Sequence, residues 1–157
     1  MADPGTERVA RALAELAPES AVLELDASTR TAAHAAAALG CPLGAIANSL
    51  IFMTATTPIL IMTSGDHRVD LDLVSAVIGG PPLRRATPEE VRAATGQPIG
   101  GVAPVGHPSA VRTLVDESLS RYDTIWAAAG TPHSVFATSY AALVAMTGGE
   151  PVVVSNT

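Results

Sequence analysis

The segment Gly100-Gly101-Val102-Ala103-Pro104 has the residue types for main-chain binding chemistry. Where side chains are missing, a ligand approaches the backbone, and successive N–H groups can face an anion or a developing oxyanion. No Gly-Lys-Ser/Thr follows it, so it is not a P-loop. A second loop, Gly130-Thr131-Pro132-His133, lies between two apolar runs, at a strand end where ligand-reading residues sit. His133 is its candidate side chain. His107 closes the first loop and can line the same pocket. Asn48 is the third candidate, the one polar residue on its face of an otherwise apolar run, and a buried amide needs partners.

Other reactive residues read as structural. Ser134 or Ser49 with His133 and Asp116 contains the residue types of a hydrolytic triad, but there is no GxSxG elbow. Cys41, beside Pro42 with no cation near, reads as a small buried hydrophobe. His34 reads as a packing or surface residue of its helix and His67, in SGDHR, as solvated. Arg84-Arg85 reads as a solvated turn or the partner of an acid, with phosphate contact as the functional alternative. A single cysteine excludes an internal disulfide, and scattered histidines with no CxxC or HxxxH pair give no metal site and imply no cofactor.

Composition narrows the chemistry. In 157 residues, 48% apolar and 15% charged, all nine basic residues are arginine and none is lysine, against fifteen acids, for a net charge of −6. Schiff-base chemistry and lysine bases are therefore excluded. The apolar fraction is that of a folded domain, and residues 1–157 read as one. With no apolar run of about 18 residues and no leader-like start, the expectation is a soluble, cytoplasmic protein with no membrane contact. Five aromatics and an acidic balance leave no footprint for long duplexes, so DNA is not a partner, and a small ligand or a nucleic-acid end fits better.

These residues must be positioned by the elements around them. Helical spacing predicts a helix over 6–16, a strand over 21–25, and an Ala-rich helix from Thr31 to Leu39 closed by Gly40. Ile46–Thr54 predicts a strand with Ile46, Asn48, Leu50 and Phe52 on one face. A turn through Thr54 to Pro58 joins it to a second strand, Ile59–Thr63. Asp70–Ile78 reads as a short helix, and Thr87-Pro88-Glu89-Glu90 is a capping box opening a helix that stops at Gly96. Residues 97–107, with three glycines and two prolines, form a shaped loop. Strands follow at 111–115, 124–129 and 134–137, a helix at 139–146, and a last strand at 152–154. Adjacent runs of strands predict an α+β domain, a mixed curved sheet or partial barrel flanked by helices.

The ordered series TAAHAAAALGCPLGAIANSLIF, GDHRVDL, RRATPEEV, TGQPIGGVAPVGHP, VDESL and IWAAAGTPHSVF resembles the YbaK/EbsC family, free-standing relatives of the editing domain inserted in bacterial prolyl-tRNA synthetases. The resemblance spans roughly residues 6 to 155. It implies hydrolysis of wrongly charged tRNA, such as Cys-tRNA(Pro) or Ala-tRNA(Pro), without a metal or cofactor. The implied partners are the tRNA acceptor end and prolyl-tRNA synthetase or another synthetase. The family's GxxxP loop falls on Gly100 to Pro104 and implies main-chain contacts to the substrate carbonyl and ribose end, with Gly100, Gly101 and Val102 as oxyanion donors. The later loop, Gly130, Thr131 and His133, falls where related domains gate the amino-acid side chain, and Pro104 and His107 join the substrate-binding set. Where family deacylases place a lysine, this chain has Asn48. Asn48 then orients the ribose end, and the nucleophile is a water, the 2′-OH or the substrate's own side chain. The alternative is a non-catalytic module binding a tRNA 3′ end, nucleotide or amino acid; a third reading is an unrelated small-molecule hydrolase.

Overall fold

The computed structural model describes residues 4–18, 20–26, 31–98, 100–131 and 133–155. Arg30 and Pro132 lie outside them. Among the described residues five α-helices and eight strands follow one another, the strands partly in adjacent runs: α1 (Pro4–Leu16), β1 (Val22–Glu24), α2 (Ala32–Leu39), β2 (Ile46–Thr54), β3 (Thr57–Ser64), α3 (Leu71–Ile78), β4 (Leu83–Arg85), α4 (Pro88–Thr95), β5 (Arg112–Asp116), β6 (Ile125–Ala128), β7 (Ser134–Thr138), α5 (Tyr140–Thr147) and β8 (Glu150–Val152). The caps read from the sequence form. Thr31, Asp70 and Ser139 accept main-chain N–H groups at their helix starts, and Thr87 and Glu90 make the reciprocal capping box.

All eight strands join one mixed sheet in the order β1-β7-β6-β2-β3-β5-β8, with β4 branching from β2. This is the mixed sheet flanked by helices that the strand runs predict. β3 is covered on both faces. Leu60 and Met62 enter the cluster that holds Val9 and Leu13 of α1 and Leu143 of α5, while Ile59 and Ile61 join Val74 of α3. A smaller cluster sets Ala35 and Ala36 of α2 on Ile46. Burial of these alternating side chains is the main driving force for the sheet.

Three elements depart from expectation. The hairpin turn is only Ala55-Thr56, since Thr54 pairs with Thr57, and Pro58 lies inside β3 opposite Met53. Proline is tolerated there because the Met53–Pro58 pair needs no N–H from it: Met53 belongs to the residues of β2 that face away from β3, as shown below. The final strand is Glu150–Val152 instead of 152–154. Its partner β5 ends at Asp116, whose side chain turns the chain by accepting from Ser118 N–H, so the ladder stops at Asp116–Val152. The carbonyl of Val154 then takes the N–H of Asp70 at 2.8 Å. Strand β4 escaped the sequence reading, because three residues behind Gly-Gly-Pro-Pro carry no alternation signal.

Candidate functional site

Strand β2 is fully paired with β3 on one side only. On its other side β6 pairs at Ile46 and Ala47, β4 pairs at Phe52 to Thr54, and the stretch between is open. The Ile51 carbonyl accepts from Ala86 N–H at 3.1 Å, so odd-numbered residues of β2 direct their main-chain groups away from β3. By the alternation of an antiparallel ladder, the N–H and C=O of Ser49 lie on the open edge. A cavity of about 240 Å³ occupies this gap, lined by Asn48 to Ile51, Arg85, Gly100, Val102, Trp126 and Ser134, with apolar residues of α2 and α4 completing its wall.

Asn48 is half-buried in that wall, and among the described residues no hydrogen bond holds its side-chain amide. Among the lining residues Arg85 alone is charged. Its neighbour Arg84 points elsewhere and forms a bidentate pair with Glu90, at 2.8 and 2.7 Å. That guanidinium, helped by the Thr87 N–H, lowers the Glu90 carboxyl to about 2. The two arginines read together from the sequence thus separate into an acid partner and a cavity cation.

The first glycine loop is buried behind its cavity edge, with Val102, Ala103 and Val105 in the core. Its amides alternate in use. Gly101 N–H donates to the Pro98 carbonyl at 3.1 Å and Ala103 N–H to Oε1 of Gln97 at 2.6 Å. The N–H groups of Gly100 and Val102 have no protein partner among the described residues, and these are the two loop residues that line the cavity. Gly101 does not line it. Pro104 and His107 border a separate depression against α1 and Met146. His107 donates from Nε2 to the Ala103 carbonyl at 2.9 Å, and burial holds its imidazole below the usual histidine value.

The second loop adjoins the cavity through its end. Ser134 and Val135 line it, while Gly130, Thr131 and His133 stand behind. Thr131 Oγ1 and Ser134 Oγ are 2.7 Å apart, and the His133 carbonyl accepts from Leu25 N–H. Gly130 has φ +106°, and a Cβ there would meet Val9 Cγ2 at 3.2 Å; at Gly106, φ +83°, it would meet Val9 Cα at 2.7 Å. Both glycine loops therefore close on Val9 of α1, a packing demand that accounts for these two glycines.

Asp116 does not meet His133. It is buried, and its Oδ2 bonds Nδ1 of His67 at 2.8 Å, so His67 is a network residue and not solvated. Ser118 Oγ approaches that same nitrogen at 3.3 Å and donates to Asp116. A hydrolytic serine would need the opposite ring nitrogen, so this cluster is a tie between strand ends. Among the described residues no group of His, Cys, Asp and Glu is arranged to hold a metal, and no helix is long and apolar enough to cross a membrane. Ser49 and Ser134, which the sequence offers only as members of an unsupported triad, line the cavity, and Trp126 at its wall and Gln97 behind it do not stand out in the sequence as site residues. Only Gln97, an amide before proline in a glycine-rich loop, left a local trace.

A family model described as aminoacyl-tRNA editing domain matches residues 26–146. The chain is 36% identical over 117 residues to YwhH of Bacillus subtilis (strain 168), an uncharacterized protein, covering 74% of each. It is 31% identical over 116 residues to a proline–tRNA ligase of Nitratidesulfovibrio vulgaris (strain Hildenborough), covering 74% of this chain but only 19% of that enzyme. Among solved structures, a candidate trans-editing enzyme for prolyl tRNA synthetase superposes with TM-score 0.92 at 42% identity, over 100% of both chains.

Proposed function

The chain belongs to the aminoacyl-tRNA editing domain family, and from that premise we propose that it hydrolyses a wrongly attached amino acid from the 3′ end of a tRNA, in trans to a synthetase and in the cytoplasm. The observation that carries this reading is the gap in the sheet at Asn48–Ile51, lined by Gly100 and Val102, whose N–H groups have no partner among the described residues. An aminoacyl ester presents a carbonyl oxygen that becomes negative on attack. Preorganised main-chain donors stabilise that charge without reorganising.

In this scheme the ester carbonyl points at Gly100 and Val102. A water, or the ribose 2′-OH, attacks the carbonyl carbon, the bond to the ribose 3′ oxygen breaks, and that oxygen takes up a proton as the alcohol. Holding the ester in the gap supplies the orientation that an intrinsically activated bond requires, so no protein nucleophile is needed. Asn48 hydrogen-bonds the ribose end, being able both to donate and to accept. Arg85 meets the terminal phosphate, and Trp126 offers a face for the terminal base. Gly130, Thr131 and His133 set the amino-acid pocket through Ser134, whereas Gly101, Pro104 and His107 shape the loop.

One observation favours the second reading, a binding module without turnover: Asn48 replaces the family's lysine and no lysine exists to substitute. Single-turnover deacylation of a panel of mischarged tRNAs, including Cys-tRNA(Pro) and Ala-tRNA(Pro), separates the two when run with the natural protein and with Asn48→Lys. Turnover by the natural protein is the expected result. If only Asn48→Lys cleaves, the binding module takes its place, and if a simple amino-acid ester is cleaved faster than every charged tRNA, a small-molecule hydrolase does.

A further inference from the structure

The eleven-residue loop 97–107 is braced on a single residue by its own two ends. Gln97, its first residue, is fully buried and accepts the Ala103 N–H on Oε1 at 2.6 Å. His107, its last, donates Nε2–H to the Ala103 carbonyl at 2.9 Å. The Gln97 amide is fixed in orientation by its partners, since Nε2 donates to the Thr95 carbonyl at 3.3 Å while only the oxygen can receive Ala103 N–H. Thr95 anchors the brace to α4 through Oγ1, which donates to the Val91 carbonyl at 2.7 Å and accepts Gln97 N–H. With both main-chain groups of Ala103 held from behind, the Val102–Ala103 and Ala103–Pro104 peptides are fixed, and this limits how the adjoining Gly101–Val102 peptide, which carries the N–H of the cavity-lining Val102, can turn.

We propose that Gln97 and His107 are positioning residues that act together through Ala103, selecting which loop amides are presented to the substrate carbonyl. This rests on the deacylase reading above. Neither side chain lines the cavity, so their effect falls on the rate of the chemical step more than on substrate binding. Both ends of the loop reach the same residue, Ala103, one through its N–H and one through its carbonyl, so removing either brace releases that residue and the two losses do not add.

The test combines single-turnover kinetics on the mischarged tRNA that the natural protein cleaves with amide hydrogen exchange. In Gln97→Leu the saturating rate constant is expected to fall about 10- to 100-fold, somewhat less than deleting an oxyanion donor outright, with half-saturation shifted less than about threefold. His107→Phe is expected to fall likewise, and the double variant no further than the worse single. Gln97→Glu gives a readout that a generally loosened fold would not give. When protonated it reproduces both hydrogen bonds, so its deficit relative to the natural protein should shrink as pH is lowered. Ala103 N–H should be protected in the natural protein and lose protection in Gln97→Leu, a measurement that needs no activity. Unchanged rate constants, additive losses or unchanged Ala103 protection in the folded variants overturn the inference. A natural protein inert on every tRNA, with the Ala103 exchange behaving as stated, overturns the deacylase reading and leaves the brace standing.

Discussion

Arg85 and Asn48 line the same cavity, and the proposed deacylation gives them different tasks. In that scheme Asn48 is assigned hydrogen bonds without charge, and the exposed Arg85 is assigned the charge. Arg85→Ala should therefore weaken half-saturation for charged tRNA about three- to tenfold, the range of one exposed contact to phosphate, or roughly 0.7–1.4 kcal/mol. Cleavage of an uncharged amino-acid ester should not change. Arg84→Ala, which removes the pair with Glu90 and a 3.2 Å bond to the Arg85 carbonyl but no group at the cavity, should leave half-saturation alone. Equal effects of the two substitutions would remove Arg85 from substrate contact. The sequence offers phosphate contact as an alternative for the pair without distinguishing its members, because the choice depends on β4, whose alternation sends Arg84 to the capping box and Arg85 to the gap.

At the scale of elements, the capping box at the head of α4 is joined to β4 by the Arg84–Glu90 pair. Glu90 has a folded value of about 2 against an ordinary 4.5. A depressed carboxylate contributes stability that is present above its unfolded value and lost as pH falls through the folded one. Unfolding followed from pH 5 to 2 should show a loss attributable to Glu90, and Arg84→Gln should flatten that part of the curve. The hairpin offers a change of opposite sign. Ala55 sits at φ +54° in the turn, so Ala55→Gly should raise stability by about 0.5–1 kcal/mol in denaturant unfolding, the lost strain outweighing the added freedom of the unfolded chain. Most elements were legible because caps and periodicity are local: Thr31, Asp70, Thr87 and Ser139 each announce a helix start. What was hidden depends on remote partners. Nothing near Leu83–Arg85 announces a strand, and nothing in the sequence shows that Gly130 faces Val9 or that Asp116 meets His67.

For the whole molecule, a net charge of −6 with one cation at the cavity predicts weak and only mildly salt-dependent binding of free tRNA. One or two phosphate contacts correspond to a loss of about three- to sevenfold in affinity between 50 and 200 mM salt. A steeper slope by filter binding would mean that arginines far from the gap also meet the tRNA. The gap in the sheet has one more consequence. Much of its lining is peptide: the edge of Ser49 and the amides of Gly100 and Val102. Substituting side chains does not erase such atoms, so the wall they form survives a change of side chain at position 48. A mutational scan should accordingly show long tolerant stretches along the cavity lining, punctuated by sharp intolerance to proline and to single-residue insertions at positions 48–51 and 100–103, where the chain itself is the reagent.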